Sequence, residues 1–398
     1  MSETQTVPLY MRRQEFDPVP ELSELREEEG VRRIITPLGV EAWLVTRHSD
    51  VRTVLSDPER FSNARSFPPR DPGSPPPSEQ EIAAMRAGNL LSADPPDHTR
   101  LRRLLTPEFT VRRMRRLEPR IVEIVDQHLD AMGRAGSPAD LVSSFALPIP
   151  SLVICELLGV PYEDRGEFQE RTSRVLDVSL PMKERQALQA QSRAYMIDLV
   201  AKIKADPGEE LLGMLVREHG DDLTDAELAG IGGLLLVAGH ETTSNMLSLG
   251  TLALLRHPEQ LKLLREEPDR ITGAVEELLR WLSIVHSGMV RTTTTEVELA
   301  GHTIGPGELV VAGLATANRD PKLVPDPDAL DIGRDAAGHV AFGHGLHHCL
   351  GAPLARMEMR IAFPALLRRF PGLRPAAPEP QFRAFHFVYG LASFPVAW

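Results

Sequence analysis

The longest apolar segment of the chain, LTDAELAGIGGLLLVAGHETTSNMLSLGTLALLRHP (223–258), has the pattern of one buried helix. Thr224 and Glu227 have the spacing of a capping box, which marks where the helix begins, and Pro258 marks where it ends. About 34 residues at ~1.5 Å each give a rod of ~50 Å. Because the segment is apolar nearly all round, it predicts a helix that crosses the interior of the domain.

Polar residues interrupt this helix in its middle, where Gly239 is followed by His240, Glu241, Thr242 and Thr243. A carboxylate in an apolar helix is costly without a partner or water. Glycine followed by threonine favours a local bend, where a hydroxyl replaces a broken backbone bond. Two interpretations follow: a polar stripe on a partly exposed helix, or a carboxylate and an alcohol positioned at a bend to deliver protons.

The rest of the chain is mostly helical in its apolar spacing. Helices are predicted over 110–133, 140–159, 185–204, 224–256 and 270–282. Shorter strand-like pieces are VRRIITP, EAWLVTR, VELAGHTI, ELVVAGLA and SFPVAW. This distribution predicts a mainly α protein with a small β region (α+β), not a βαβ alternation. We expect a single domain over 1–398, with the Pro-rich stretch 66–80 as a mobile, roomy entrance loop rather than a linker.

Composition excludes several classes of protein. The formal net charge of -12 argues against nucleic-acid binding. No apolar run approaches the ~18 residues of a membrane span, and the N-terminal residues have no apolar core typical of a secretion signal. The two cysteines cannot build a disulfide framework, and Cys155 lies in an apolar helical stretch as a core residue. We therefore expect a cytoplasmic protein without a membrane anchor.

The second cysteine, Cys349, lies in a different setting, HVAFGHGLHHCLGAPLARME (339–358). A zinc site with His344, His347 and His348 would need four ligands within six residues, and structural zinc sites usually pair two separated clusters. A nucleophilic cysteine would need an orienting base such as His348, but no peptidase-like pattern surrounds it. The third alternative is an axial thiolate to a haem iron, with the neighbouring glycines letting the backbone approach a flat macrocycle.

The chain resembles the cytochrome P-450 family of haem-thiolate monooxygenases, in its soluble bacterial type. Phe342, Gly345, Cys349 and Gly351 match the family's F-x-x-G-x-x-x-C-x-G loop. Further matches are AGHETT (238–243), the E-x-x-R pair in EELLR, DPDALDIGR (326–334), DPPDHTRLRRLL (94–105) and ANRDP (317–321). The matches come in family order across most of the chain. The resemblance implies a cytochrome P-450 fold, one helix-rich domain around a buried haem.

The resemblance also implies roles for individual residues around haem b. Cys349 would be the axial ligand of the iron, Phe342 would shield its sulfur, and Ala238 and Gly351 would lie against the cofactor. The residues implied to bind the two propionates are His98, Arg102, Arg291 and His347. Glu277 and Arg280 are expected to form a structural ion pair, with Arg334 as a possible third member.

Glu241 and Thr242 are the residues that the resemblance assigns to catalysis. A hydroxyl that holds an ordered water, backed by an acid linked to solvent, would deliver protons to dioxygen. Thr243 is the alternative to Thr242 in this role. Because the pair is intact, the expected reaction is hydroxylation or epoxidation rather than aryl coupling. A non-catalytic haem protein that binds a ligand is the alternative from another class.

Electrons, partners and substrate are further expectations from the resemblance. No flavin or iron–sulfur module accompanies the haem domain, so NAD(P)H would act through a ferredoxin and a ferredoxin reductase. The seven arginines of 100–116 are a candidate ferredoxin-docking segment, and we expect a monomer. The residues expected to line an apolar substrate pocket are Leu90, Leu91, Leu234, Val237, Val285, Met289 and Val388. A polyketide or macrolide is the expected substrate class, and a carrier-bound peptide is the alternative.

Overall fold

Helices form most of the protein, whose computed structural model describes residues 7–64, 78–377, 379–383 and 385–398. The predicted entrance loop at 66–80 falls outside the described residues as far as residue 77. The α-helices of the described part are α1 (Pro20–Glu28), α2 (His48–Ser56), α3 (Glu79–Arg86), α4 (Asp97–Leu105), α5 (Val111–Met114), α6 (Glu118–Ala135), α7 (Pro148–Leu158), α8 (Arg165–Leu176), α9 (Met182–Ala205), α10 (Leu211–His219), α11 (Asp225–Arg256), α12 (Pro258–Glu266), α13 (Ile271–Leu282), α14 (Leu314–Ala317) and α15 (Ala352–Arg369).

Helix α11 is the central element, as its apolar pattern predicts. The Thr224 hydroxyl accepts from the Glu227 amide while the Glu227 carboxylate accepts from the Thr224 amide, so the predicted capping box begins the helix. The helix contacts α7, α9 and α15, and its second half is buried without interruption from Thr243 to Leu254. Gly250 allows the close approach of α15, because a Cβ there would lie 2.6 Å from Phe363 Cζ. The helix runs unbroken through Gly239, so the predicted bend does not interrupt its hydrogen-bonded course.

Two of the predicted helices are divided in the structure. The stretch 110–133 forms α5 and α6, because the chain turns at Arg115–Leu117 and Pro119 opens the first turn of α6. The stretch 140–159 begins with a π-helical turn, Val142–Ala146, before α7. Pro148 and Pro150 provide no backbone N–H, so the regular α-helical ladder cannot extend back through them.

The strands are short and gather into small sheets. Those described are β1 (Arg13–Gln14), β2 (Asp17–Pro18), β3 (Val31–Ile35), β4 (Glu41–Val45), β5 (Phe61–Ser62), β6 (Ala139–Asp140), β7 (Met289–Thr293), β8 (Val297–Leu299), β9 (His302–Ile304), β10 (Leu309–Ala312), β11 (Arg374–Pro375), β12 (Gln381–Phe382), β13 (Leu391–Ser393) and β14 (Pro395–Ala397). The main sheet has the order β3-β4-β10-β7-β5, with only β4 and β10 parallel. The predicted mainly α fold with a small β region is confirmed.

One predicted strand, VELAGHTI, is a hairpin instead. Strands β8 and β9 pair antiparallel, with Val297 opposite Ile304. Ala300 and Gly301 form the turn with φ of 50° and 80°, the backbone twist that two-residue hairpin turns require. The sheet region flanks the helical body through the buried cluster that contains Trp43 and Val310.

Candidate functional site

The loop that carries Cys349 is shaped by two left-handed glycines. Gly343 and Gly345 have φ of 73° and 71°, and a Cβ at Gly345 would lie 2.6 Å from the carbonyl oxygen of Leu55. The loop therefore folds closely onto the end of α2. The Cys349 amide donates to the Phe342 carbonyl at 2.9 Å, which closes the loop just before α15 begins.

Burial and the nearby positive groups act in opposite directions on the ionisation of Cys349. The side chain is accessible to solvent, yet protein surrounds it closely enough that burial raises the pKa of its thiol. The amides of Gly351 and Ala352 and the charges of Arg102 and Arg356 act in the opposite direction. Thiolates are soft metal ligands, so an electropositive loop at a helix N-terminus suits a metal-bound sulfur. Gly351 itself has φ of -80°, so it is not needed there for a left-handed turn.

A charged group outside the predicted site holds Phe342 in place. The Arg356 guanidinium lies over the Phe342 ring, with Cζ 4.5 Å from the ring centroid. Glu276 accepts from Arg356 Nε and Nη2 at 2.6 and 2.8 Å, and His339 Nε2 lies 3.2 Å from the same carboxylate. Burial alone would raise the pKa of Glu276, but these two partners lower it to about 2. The Phe342 ring is thus fixed by an ion pair that sequence reasoning did not identify.

His98 and His347 meet on one side of the loop. Their ring centroids are 4.2 Å apart, and the Nε2 atom of each is buried without a partner in the described residues. Burial lowers the pKa of His98, and burial together with the charges of His98 and Arg291 lowers that of His347 to about 3. Two neutral imidazoles therefore present unsatisfied nitrogens to the same region, a donor set that suits an acidic ligand.

Arg102 and Arg291 add two cations to this region. Neither forms an ion pair within the described ranges, and burial lowers the pKa of both, that of Arg291 to about 10. Asp94 lies close enough to favour the charge of Arg291, but its own carboxylate accepts from Ser62 Oγ and the Asn63 amide. Arg291 is buried and Arg102 is half-buried. Guanidinium groups in such positions without carboxylates call for anionic partners, and the two carboxylates of a haem provide them.

Helix α11 contributes an open stripe halfway along its length. Leu234, Val237, Ala238 and Thr242 follow the i, i+3, i+4, i+8 spacing of one helix face, and none of them is buried. The Thr242 hydroxyl donates to the Ala238 carbonyl at 2.7 Å. Thr243 is buried, so the stripe presents Thr242 as its only hydroxyl. An apolar stripe with one alcohol suits the distal face of a macrocycle and an apolar substrate.

Glu241 lies beside this stripe but is fully buried. Its Oε2 accepts from Asn245 Nδ2 at 3.3 Å and forms an ion pair with Arg383 Nη1 at 3.4 Å. Its Oε1 has no partner among the described residues. Asn245 and Arg383 were missed in the sequence, and Arg383 carries no local motif that would have identified it.

The remaining residues predicted to line the pocket are divided among three environments. Val285 and Met289 are half-buried, as Leu234 and Val237 are. Leu90 and Val388 are buried in the main core, so they support the pocket wall rather than form an open surface. Leu91 is 53% exposed. It borders, with Met289, Arg291 and His347, a cleft of about 180 Å³ beside the imidazole pair.

Glu277, Arg280 and Arg334 form a buried charge network behind the site. Arg280 Nε and Nη2 donate to the two Glu277 oxygens at 2.7 and 2.8 Å, and both side chains are fully buried. Arg334 Nε lies 3.1 Å from Glu277 Oε1. Arg280 also donates to the carbonyls of Asn318 and Pro327, so the pair fastens α13 to the segment that leads into the Cys349 loop.

These residues fit a haem better than they fit a zinc ion. Within the described ranges, no three His, Cys, Asp or Glu side chains come together as a metal cluster. The thiol beside helix amides, the open apolar stripe and the unsatisfied imidazole and guanidinium groups match the iron, the flat ring and the carboxylates of a haem. No helix in the described part of the chain has the length and apolarity to cross a membrane.

Comparison with known proteins gives concordant matches. The family model described as Cytochrome P450 matches residues 183–386. Cytochrome P450 FAS1 of Rhodococcoides fascians is 48% identical over 399 residues, covering 100% of both chains. Pentalenic acid synthase of Streptomyces avermitilis is 46% identical, covering 96% of this chain and 95% of that protein.

Solved structures extend the likeness to the whole fold. CYP105P1 in complex with filipin I has a TM-score of 0.90 at 40% identity, covering 100% of this chain and 99% of that one. OxyB, solved in a complex with the X-domain from teicoplanin biosynthesis, has a TM-score of 0.86 at 46% identity, covering 99% and 100%.

Proposed function

Because this chain belongs to the cytochrome P-450 family, whose members are oxygen-incorporating haem-thiolate oxidoreductases, we propose that it inserts one oxygen atom into a bulky apolar natural product. The reaction is hydroxylation or epoxidation of a molecule such as a polyketide or macrolide, in secondary metabolism. One atom of O2 enters the product and the other leaves as water. The two electrons come from NAD(P)H, and a proton from solvent completes the balance.

The residues around Cys349 are those that would hold haem b. Cys349 would bind the iron through its sulfur, Phe342 would shield that sulfur, and Ala238 of α11 would contact the ring. The propionate partners would be His98, Arg102, Arg291 and His347, whose unsatisfied nitrogens and unpaired charges support this assignment. When bound, a haem with a thiolate ligand supplies the binding of O2 and the electron donation that favours O–O cleavage.

Thr242 and Glu241 would manage protons on the α11 side. The Thr242 hydroxyl, now donating to the Ala238 carbonyl, can turn to hold a water at the open stripe. Glu241 is the neighbouring carboxyl that exchanges protons with that water. Buried Thr243 is not open to the stripe, which supports Thr242 as the hydroxyl in this role.

The open stripe of α11 is the observation that carries the substrate proposal. Three of its four side chains are apolar, so the stripe offers contact area and one hydroxyl rather than a charged recognition group. Half-buried Val285 and Met289 add apolar surface nearby. Two of the similar proteins support this class of substrate: one is named pentalenic acid synthase, and one is solved in complex with filipin I.

Electrons would arrive from a ferredoxin and its NAD(P)H-dependent reductase. Four arginines of the segment 100–116 are exposed and form no ion pair in the described part of the chain: Arg103, Arg112, Arg115 and Arg116. Arg102 on the same segment is close enough to Cys349 to influence its charge, so this surface lies near the sulfur. An acidic ferredoxin would dock there in spite of the net charge of -12.

A carbon monoxide difference spectrum of the reduced protein, recorded beside that of Cys349→His, tests the core of the proposal. We expect the strongly red-shifted Soret band of a thiolate-ligated haem in the wild type and its absence in the variant. A Soret position in the wild type typical of histidine ligation would overturn the assignment of Cys349. Spin shifts on titration with a library of macrolides and polyketides then identify the substrate class.

A carrier-bound peptide is the second candidate substrate. The similarity to OxyB over nearly the whole chain favours it, because OxyB is solved there in complex with the X-domain from teicoplanin biosynthesis. The same spin-shift titration with a carrier-protein-bound peptide, with the free peptide and the free carrier as controls, separates the candidates. A shift that requires both peptide and carrier would replace the macrolide proposal, whereas a shift with macrolides alone would support it.

A further inference from the structure

The C-terminal turn between β12 and β13, described at residues 383 and 385–390, is fastened to the end of α8. The Phe387 amide donates to the Leu176 carbonyl at 3.2 Å, and the Val178 amide donates to the Phe385 carbonyl at 3.1 Å. His386 Nε2 also lies 3.2 Å from the Ser173 carbonyl oxygen. Backbone hydrogen bonds therefore join the turn to the end of α8.

The same turn lies directly against the middle of α11. A Cβ at Gly390 would collide with the Asn245 side chain, so only a glycine permits this approach. The Arg383 amide donates to the Gly390 carbonyl at 2.9 Å, which fixes the start of the turn to its end. Arg383 is thus anchored through its backbone at the point where the turn meets α11.

The Arg383 side chain connects the two helices across this contact. Its Nη1 lies 3.4 Å from Glu241 Oε2 on α11 and 3.4 Å from Ser173 Oγ on α8. Glu241 is 1% exposed, whereas Arg383 is 22% exposed. The guanidinium therefore spans from a fully buried carboxylate toward solvent.

Arg383 is the cation that compensates Glu241. Among the described residues, the other titratable groups near this carboxylate are His240 and His386, and burial lowers the pKa of both imidazoles. Asn245 provides only a neutral amide. A buried carboxylate without a charge partner is costly and tends to take up a proton instead. The ion pair with Arg383 thus occupies Glu241 Oε2, whereas Glu241 Oε1 has no partner among the described residues.

We propose that Arg383 is a positioning residue for proton delivery, which keeps Glu241 ionised and oriented and thereby couples α8 and the C-terminal turn to the acid. This inference rests on the proposed function, in which Glu241 exchanges protons beside Thr242. Movement of α8, through Ser173, or of the turn, through Gly390, would displace Arg383 and so change its ion pair with Glu241.

Infrared difference spectra of the carbon monoxide complex at neutral pH test directly whether Arg383 keeps Glu241 ionised. We expect the stretching band of a protonated buried carboxyl in Arg383→Gln and its absence in wild type, in Arg383→Lys and in the double variant Arg383→Gln/Glu241→Gln. Arg374→Gln is the control, since Arg374 is an exposed arginine near the same end of the chain whose guanidinium donates to the Gly372 carbonyl. A spectrum of Arg383→Gln identical to that of wild type would overturn the proposal.

Turnover measurements separate this proposal from the proposed function. NADPH consumption with a plant-type ferredoxin and its reductase is compared in H2O and D2O. We expect Glu241→Gln and Arg383→Gln to slow consumption by about ten-fold or more with a raised solvent isotope effect, since positioned acids contribute ~10²–10⁴-fold. The double variant should match Glu241→Gln, because Arg383 acts through the carboxylate.

Each remaining outcome decides one of the two claims. If Glu241→Gln behaves as wild type, the role of Glu241 in the proposed function fails, whatever the infrared bands show. If Glu241→Gln is impaired but Arg383→Gln is not, the positioning role alone fails. A loss of the thiolate Soret band in Arg383→Gln but not in Arg383→Lys, without the carboxyl band, would mark Arg383 as structural.

Discussion

Arg356 stacks on Phe342 beside the Cys349 loop, and Glu276 holds the guanidinium there through two hydrogen bonds. Cations over aromatic faces gain ~0.5–2 kcal/mol, and a bidentate carboxylate fixes the plane of the guanidinium. His339 completes the cluster from the segment that leads into the loop. The position of the Phe342 ring therefore depends on a charge carried by α13.

This cluster makes stability depend on pH in the acid range. The pKa of Glu276 falls from its ordinary 4.5 to about 2, so its contribution is complete above the ordinary value and is lost as pH falls toward 2. We expect Glu276→Gln to cost on the order of 3 kcal/mol near neutrality and progressively less below about pH 4.5. Urea midpoints from about pH 6 to about pH 3 measure this difference.

The control for this series is Glu218→Gln, which neutralises an exposed glutamate of α10 for which the structure shows no ion pair. Its urea midpoints should run parallel to those of the wild type at every pH. A constant gap between Glu276→Gln and wild type across the whole range would contradict the role of the Glu276 charge.

The Glu277–Arg280 pair predicts a large loss of stability when one partner is removed. Both side chains are fully buried, so Glu277→Gln leaves the Arg280 charge without its carboxylate. Breaking a buried pair in this way costs about 3–5 kcal/mol. The matched control is Glu267→Gln, which removes the exposed pair with Arg270 at 2.7 Å and should cost less than about 1 kcal/mol. Equal urea midpoints for the two variants would show that burial of the pair is energetically unimportant.

Local sequence patterns correctly predicted the features that depend on residues close together in the chain. The capping box at Thr224 and the glycines before Cys349 each act over a few residues, and the apolar length of α11 lies within one continuous segment; the structure shows each of them. The division of 110–133 and the hairpin in VELAGHTI were missed. In both, one Pro or an Ala-Gly pair outweighs the surrounding apolar periodicity.

Partners far apart in sequence could not be predicted in the same way. Arg383 is 142 residues from Glu241, and Arg356 is 80 residues from Glu276. Nothing in either arginine's neighbours distinguishes it from the exposed arginines of the chain. Their roles depend on which helices the fold brings together, so only the three-dimensional contacts reveal them.

Variants of two adjacent arginines of α4 test haem binding and ferredoxin binding separately. Arg102 is half-buried near Cys349, whereas Arg103 is exposed. We expect Arg102→Gln to speed transfer of haem to apomyoglobin by about ten-fold, equivalent to about 1.4 kcal/mol, because a propionate loses its charged partner. Arg103→Gln should transfer haem at the wild-type rate and raise the KM for ferredoxin instead. Identical transfer rates in the two variants would contradict the assignment of Arg102 to a propionate.

A comparison of Gly345 with Gly301 distinguishes the cost of backbone strain from the cost of a steric contact. Both Gly345 and Gly301 have left-handed φ values, of 71° and 80°, but only a Cβ at Gly345 meets the backbone of Leu55 and Ser56, at 2.6 and 2.8 Å. Gly301→Ala should therefore cost only the strain of about 1 kcal/mol. Gly345→Ala adds displacement of the Cys349 loop from α2, so we expect a larger loss of stability and weaker haem retention. Urea midpoints and the intensity of the carbon monoxide Soret band measure both effects. If the two variants lose equal stability and retain full haem, contact of the loop with α2 does not position Cys349.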